Sequence, residues 1–517
     1  MPSARKITAL RGMRDVFSTE YARYQAIQAR LERHLRLYGY VAVDLPILEN
    51  TELYLRKSGE DIAARLYEFD FKSRRVALRP EVTASILRAY VERLQDEPLP
   101  LRIQYSGPVF RYEKPQQHRY RQFTLTGAEL LGASGPRADA EMLHLAGSGL
   151  EQAGISEYTL TIGHTALLES FLNSLGLRKQ LVNFLLRNME NLRKRGVDSV
   201  LESLTMIYPE FENAAMSPRG SSEAGDDKSH QLINVLRKMT DSEAHQAVSD
   251  FLHSLNIRIA TNRDEGEVIE RLLRKIREDQ QAPKLQLALD FMRRLGDLVG
   301  APADVLPRAR ALTEEFDLDP DILTSLERTL DCLAEYGERS GVTQLDFGLN
   351  RGLHYYTGLI FELHGATPAG EPIQLCGGGR YDNLISILGG SESTPAVGFA
   401  YGIERIDSVL KSETSITTSQ PTVFVIPLDQ ADFPKGLAIA ADLRANDIVV
   451  EVSIDSRSLR RSLKQADRRG AAFVIIIGED ERRGNAVILR DMRNHQETQV
   501  PLKDLTNSVA GLLNADE

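Results

Sequence analysis

Tryptophan is absent from this chain, cysteine occurs only twice, and positive charge is in deficit. Each shortage excludes something. Cys332 and Cys376 lie far apart and form no CxxC pair, which argues against a disulfide framework or a zinc cluster; no metal-ligating set is assigned, and the reading fits a reducing cytoplasm. The 63 Lys+Arg stand against 73 Asp+Glu, a formal net charge of −10. Bulk attraction to a polyanion is therefore excluded, and a nucleic-acid partner would have to meet local basic patches. No apolar run reaches membrane-spanning length, and the opening Met1-Pro-Ser-Ala-Arg-Lys-Ile7 lacks the apolar stretch of a signal peptide. A cytoplasmic protein with no membrane partner is expected. Its 517 residues are too many for one core and imply about three domains.

The patterning changes along the chain. Tyr21 to Tyr38 carries apolar residues at helical spacing, and Val41 to Leu48 reads as a strand ending near Pro46. Arg65 to Ala77 alternates aromatics with charges, as one half-buried strand does. A helix is expected over 81–93, a hairpin over 107–129, a helix over 138–153 and a strand over 158–162. From 164 to 340 strand signals are few and Leu and Arg recur at helical spacing, so a helical insertion is expected, with a polar loop at 215–228. Strands resume from Thr343 to Tyr401, with Gly377-Gly-Gly379 read as a sharp turn. Residues 411–420 are Ser/Thr-rich and read as a linker. From 421 onward strand and helix alternate, predicting a small α/β domain with a mainly parallel sheet. The expected division is 1–163, 164–340, 341–410, 411–420 and 421–517.

The hairpin is the richest segment. Gly107-Pro-Val-Phe-Arg111-Tyr-Glu113 runs out, and Arg119-Tyr-Arg121-Gln-Phe123 returns. Strand parity puts Arg111 with Glu113, and Arg119, Arg121, Phe123, Leu125 and Glu129 together on the return. Arginines beside an aromatic suit an adenine nucleotide, with the ring stacked and the phosphates held by charge-assisted bonds. The same pattern also suits a solvated hairpin with cross-strand ion pairs. Leu78-Arg-Pro-Glu81-Val-Thr83 sits at a helix start, where Glu81 either caps the helix or meets a ligand's ammonium. Arg351, His354, Tyr355 and Tyr356 share a strand-like run. Gly378-Gly-Arg-Tyr381-Asp382 feeds a helix. In Gly398-Phe-Ala-Tyr-Gly402-Ile-Glu404-Arg405 an arginine stands in a helix's first turn, an unfavourable place unless an anion sits opposite.

The order and spacing of these segments resemble class II aminoacyl-tRNA synthetases, with Phe110-Arg111-Tyr-Glu113 and Gly402-Ile-Glu404-Arg405 as two of the class motifs. Arg11-Gly-Met-Arg-Asp15, Leu78 to Thr83, Arg119 to Phe123, Arg351 to Tyr356 and Gly378 to Asp382 are similar to the histidyl-tRNA synthetase family. The resemblance covers roughly 6–165 and 343–510. It implies an α+β fold: an antiparallel sheet flanked by helices, a helical insertion, and a C-terminal anticodon-binding α/β domain. It also implies ATP-dependent activation of histidine, transfer to tRNA(His), Mg²⁺ carried with ATP, and a homodimer.

By this resemblance Arg111 binds the α-phosphate, Arg119 and Arg405 the outer phosphates, and Phe123 stacks on adenine, with Glu113 also at the ATP. Glu81 and Thr83 take the amino acid's ammonium and Arg351 its carboxylate, so Arg111 and Arg351 are the catalytic pair. Glu129 and Tyr356 clamp the imidazole, and Tyr355 and Tyr381 line its pocket. Two departures stand out: the family usually has glutamine where this chain has Leu125, and aspartate where it has His354. Parity predicts that Leu125 points into the pocket, where it cannot hydrogen-bond. The departures open an alternative, the non-catalytic regulatory subunit of ATP phosphoribosyltransferase. Gly127 to Gly132, Asp139-Ala-Glu141 and Ile162-Gly-His164 look somewhat like that relative, which typically lacks the C-terminal domain. Within that domain Arg457, Arg460, Arg461, Lys464 and Arg468 form one helical stripe, although 421–517 as a whole holds 13 Lys+Arg against 15 Asp+Glu. The stripe is either a tRNA contact or a solvated face.

Overall fold

The computed structural model describes residues 7–58, 64–113, 120–208, 239–254, 269, 283–349, 355–390, 394–410, 422–454 and 458–514. Arg119, Arg351, His354, Arg457, the stretch 215–228 and the linker 411–420 lie outside the described residues. The chain divides into two compact units, one of 1–16 with 24–414 and one of 17–23 with 415–517.

The first unit is built on a nine-stranded sheet. Its strands lie in the order Val41–Ala42, Leu101–Phe110, Gln122–Leu131, Ala396–Gly402, Pro372–Arg380, Leu359–Ala366, Thr159–His164, Val342–Asp346 and Val299–Gly300. Pairing is antiparallel except where 41–42 meets 101–110 and where 159–164 meets 342–346. The helix Pro136–Ala153 packs on one face. Pro136 opens it at a position that needs no amide hydrogen, and Gly154 closes it at φ 104°. Met142, Leu143, Ala146 and Leu150 bury its inner side, and Tyr401 in the sheet donates to the Leu145 carbonyl at 2.8 Å. The other face of the sheet is left for a pocket.

Three expectations fail here. The run from Val41 to Leu48 is not one strand: Val41–Ala42 joins the nine-stranded sheet, and Leu48–Asn50 pairs with Arg74–Leu78 in a separate three-stranded one. The run 65–77 is not one strand but a hairpin, Tyr67–Phe71 paired with Arg74–Leu78. Lys72 and Ser73 turn it at φ 48° and 63°; without Gly or Asn the left-handed turn leaves no mark in the sequence. Gly377-Gly-Gly379 is not a turn but the middle of strand Pro372–Arg380. A Cβ on Gly378 would lie 2.3 Å from the Gly398 carbonyl oxygen and 2.7 Å from Phe361. Glycine is demanded there by close approach of neighbouring groups, not by chain reversal.

The described residues between 164 and 340 form helices, among them Ala166–Ser174, Met189–Ile207 (broken at Gly196, φ 83°), Pro302–Glu315 and Asp321–Ala334, besides the two-residue strand Val299–Gly300. Phe171 stacks on Phe291 with ring centroids 3.9 Å apart, and Phe316 meets both edge-on at 5.0 and 4.9 Å.

The second unit holds a five-stranded sheet, in the order Val450–Val452, Thr422–Pro427, Ala471–Ile477, Ala486–Asp491 and Glu497–Pro501. Val423, Val425, Leu443, Ile475, Ile477 and Val509 form its core. Only the first three strands are parallel, so the sheet is mixed rather than mainly parallel. The overlooked hairpin turns through Asx contacts: Asp491 accepts from the Arg493 amide and Asn494 from the Gln496 amide, both at 2.8 Å. No helix among the described residues is long and apolar enough to cross a membrane.

Candidate active site

Strand register fixes the site. In the pair Gln122–Leu131 and Ala396–Gly402, Glu129 stands opposite Gly398 and Leu125 opposite Gly402. Phe123, Leu125 and Glu129 therefore share one face, with Leu125 and Glu129 roughly 13 Å apart along the strand. Phe123 and Leu125 line a cavity of about 980 Å³. Glu81, Thr83, Arg111, Glu113, Tyr355, Tyr356, Tyr381 and Arg405 line it too. The structure thus brings residues from five separated stretches of sequence to one place.

Part of the wall is acidic and aromatic. Glu129, expected from sequence to contact the ligand, is fully buried and is not on the cavity wall. It stands behind Thr83 and Tyr381, accepting from the Thr83 hydroxyl at 2.6 Å and from the Tyr381 hydroxyl. Burial lifts the Glu129 carboxyl to about 7, against the opposing pull of those two hydrogen bonds. Burial likewise pushes the Tyr381 and Tyr105 phenols well up, so both are neutral donors. Glu81 accepts from the Ala84 amide at 3.1 Å, capping the helix Thr83–Ala89, and lines the cavity as well. The cap and the ligand-facing reading of Glu81 are therefore compatible. The Tyr355 and Tyr356 rings lie 4.7 Å apart beside them. These residues offer buried acceptors and neutral hydroxyls, the chemistry that recognises an ammonium and an imidazole.

The wall also carries arginines, with carboxylates beside them. Arg111 donates its Nε to the Pro80 carbonyl at 2.8 Å, and its guanidinium stands 5.2 Å from the Phe123 ring centre. Arg405 lies in the first turn of helix Ile403–Val409, donating to the Gln374 carbonyl at 3.1 Å. Gln374 in turn donates to Glu362 at 2.9 Å. Glu404 accepts from the Thr124 amide at 2.9 and 3.0 Å, fastening that helix to the hairpin, and burial raises its carboxyl. Two guanidiniums, an aromatic face and a helix start make a seat for a nucleotide's phosphates and ring.

Arg121 corrects the parity argument. It precedes the first residue of its strand, and its guanidinium reaches the Glu113 and Arg11 carbonyls, each at 3.0 Å, above the Tyr112 ring. It is structural, not a cavity residue. Several cavity residues were missed. Tyr120, Glu362 and Gln374 line the wall, and so do Glu190, Arg193 and Lys194 from helix Met189–Ile207. The last three belong to the stretch read as an insertion, and no local motif marks them. Arg193 is tied to Asp346 at 2.5 Å. Lys57 was also missed: it lies behind Glu81, 2.9 Å from its carboxylate. Two phrases noted in sequence meet away from the cavity, where buried Arg380 pairs with Asp139 at 2.7 Å.

A mainly antiparallel sheet bearing arginines on a hairpin and on a strand-to-helix junction, over a nucleotide-sized cavity, defines a class II aminoacyl-tRNA synthetase. The family model for histidyl-tRNA synthetase matches residues 12–271 and 236–406, and that for the anticodon binding domain matches 422–512. The histidine–tRNA ligase of Methanocaldococcus jannaschii is 30% identical over 500 residues, covering 96% of this chain and 98% of the relative. That of Pyrococcus horikoshii is 29% identical over 510 residues, covering 98% and 99%. Among solved structures, apo Staphylococcus aureus histidyl-tRNA synthetase shares the fold, with a TM-score of 0.63 and 23% identity over 97% of this chain and 99% of that one. The chain belongs to the histidyl-tRNA synthetase family.

Proposed function

We propose that this histidine–tRNA ligase works with the acidic and aromatic residues of the cavity holding histidine and its arginines holding ATP. The observation that carries the reading is one cavity whose wall holds Glu81 and the Glu129-bonded pair Thr83 and Tyr381 together with Arg111 and Arg405. Histidine's carboxylate oxygen attacks the α-phosphorus of ATP, pyrophosphate leaves, and a histidyl-adenylate remains. A hydroxyl of the tRNA's terminal ribose then attacks the adenylate carbonyl, and AMP leaves. Arg111, fixed at its Nε by Pro80, meets the charge that builds on the α-phosphate. Arg405 takes the outer phosphates, together with Arg119. Phe123 and Glu113 hold the adenine end. Glu81 and Thr83 receive the ammonium, Arg351 the carboxylate, and Glu129 and Tyr356 the imidazole, with Tyr355 and Tyr381 packed around it. A pocket satisfying both ring nitrogens excludes side chains that would strand a buried carboxylate.

Mg²⁺ enters with ATP in this reading. Among the described residues no three His, Cys, Asp or Glu cluster as a ready-made metal cage. Glu362, Glu404 and Gln374 offer oxygens near Arg405, which suits an ion held by phosphates and one or two carboxylates. The division into a split catalytic core, an insertion at 164–340 and a tRNA-binding domain from 421 belongs to the same proposal. So do a cytoplasmic setting, a homodimer and a tRNA(His) contact through the arginine stripe. Exposed Val41, Phe69 and Phe71 on edge strands support self-association. The regulatory-subunit alternative is set aside, because the ligase relatives match along nearly the whole chain. The test is histidine-dependent exchange of pyrophosphate into ATP by the folded protein with Mg²⁺. Exchange is expected with histidine alone among amino acids, and none above background would overturn the reading.

A further inference from the structure

Lysine is rarely buried, because stripping water from its ammonium is costly unless a partner compensates. The Lys57 side chain is 0% exposed. It lies in the last turn of the helix Thr51–Ser58, where a cation is favourable beside the carbonyl end, yet that preference needs no burial. Its neighbour Arg56 shows the ordinary solution, half exposed and paired with Glu52 on its own helix. Lys57 instead turns inward. Its Nζ lies 2.9 Å from Glu81 Oε2 and 4.3 Å from the centre of the Tyr355 ring.

Glu81 and Tyr355 are both cavity residues, brought from stretches 274 positions apart, whereas Lys57 is not on the cavity wall. The ammonium therefore stands behind two wall residues and touches both. The Glu81 carboxylate accepts from the Ala84 amide at 3.1 Å and forms an ion pair with Lys57, a contact without hydrogen-bond alignment. Its side chain keeps 13% exposure, towards the cavity. The exposed part of the Glu81 carboxylate faces the cavity, and the Tyr355 ring lies within reach of attraction to the same cation.

We infer that Lys57 is a positioning residue for the amino acid, a buried ammonium that holds Glu81 and Tyr355 in place to receive the substrate's own ammonium. The inference rests on the proposal that Glu81 binds that group. Removing Lys57 also takes a like charge away from the ligand, an effect of opposite sign. The carboxylate stands between the two cations, so loss of its placement dominates.

The experiment compares Lys57→Met, Lys57→Arg, Glu81→Gln and the double variant Lys57→Met/Glu81→Gln, each checked for folding by thermal unfolding. Pyrophosphate exchange gives KM and kcat, and calorimetry gives affinities for histidine, histidinol and 3-(imidazol-4-yl)propionate, which lacks the ammonium. Lys57→Met should raise the histidine KM about tenfold, as misplacement of a binding group does, with the ATP KM little changed. The loss should appear with histidine and histidinol but not with the propionate, and Lys57→Arg should recover part of it. The double variant should bind histidine no more weakly than Glu81→Gln alone. Equal loss with the propionate, unchanged affinity or tighter histidine binding in Lys57→Met would overturn the inference. If Glu81→Gln itself spares the ammonium-bearing ligands, the assignment of Glu81 fails first and Lys57 falls with it.

Discussion

The Thr83 hydroxyl donates to the Glu129 carboxylate across 2.6 Å, joining a helix start to the middle of the sheet. That bond, with the one from Tyr381, is what a buried carboxyl receives here in place of water. Burial still outweighs both, and the group titrates at about 7 when folded against 4.5 unperturbed.

A stability prediction follows from the sign of that shift. Between these two values the folded chain keeps a proton that the unfolded chain releases. Raising the pH through this window therefore removes stability, about 3 kcal/mol in total, and the loss is complete above the folded value. Glu129→Gln cannot ionise. The stability of the parent relative to this variant should fall by about that amount from pH 4.5 to above 7, read from urea unfolding of ligand-free protein. Parallel profiles would show that Glu129 does not titrate in this range.

Leu125→Gln should tighten histidine binding. Leu125 is 7% exposed, packs in the cluster that holds Tyr105 and Phe123, and lines the cavity. A glutamine there supplies a hydrogen-bonding partner worth about 1 kcal/mol, roughly fivefold in affinity, while its buried amide costs the empty protein a similar amount. Calorimetry on both proteins decides; equal affinities would mean that the leucine's neighbours already satisfy the ligand.

Replacing Arg405 with glutamine should act on ATP alone. Its guanidinium is held by the Gln374 carbonyl on the cavity wall. Loss of charge-assisted bonds to phosphate should raise the ATP KM about tenfold or more, leaving the histidine KM within about twofold. A matching rise for histidine would place Arg405 elsewhere in the reaction.

The stripe in the second unit makes a prediction about salt. In helix Leu459–Arg468, Ser462 and Ala466 are buried, while Arg460, Arg461, Lys464 and Arg468 are exposed. Arg460→Ala/Arg461→Ala should weaken tRNA binding and flatten the log–log salt dependence by about 2. Identical slopes for parent and variant would leave the stripe as solvated surface.

Much of the cavity wall was legible because the residues gathered there sit in local phrases. Arg111, Glu81 and Arg405 sit at a strand end, a helix cap and a helix first turn, all of which leave marks in a sequence. Parity placed Phe123, Leu125 and Glu129 on one face because they lie inside a regular strand. It failed for Arg121, one residue outside that strand. Lys57 and Arg193 were invisible for a different reason: each acts through a partner far away in sequence, Glu81 and Asp346, and nothing local announces the pairing. The triple glycine was seen but misread, since crowding by a neighbouring strand and a need to turn ask for the same residue.

Tolerance to change across this cavity is uneven, and Gly398 shows where it ends. A methyl group there would fall 1.5 Å from a Glu129 carboxylate oxygen and 2.8 Å from the Ala128 carbonyl oxygen. The acid thus fills a hollow that exists only because the facing strand carries a hydrogen atom. At position 125 the leucine lines open cavity, so a glutamine of similar size meets no such neighbour on that side. At position 398 a side chain of any size would have to displace the Glu129 carboxylate and crowd the Ala128 carbonyl as well.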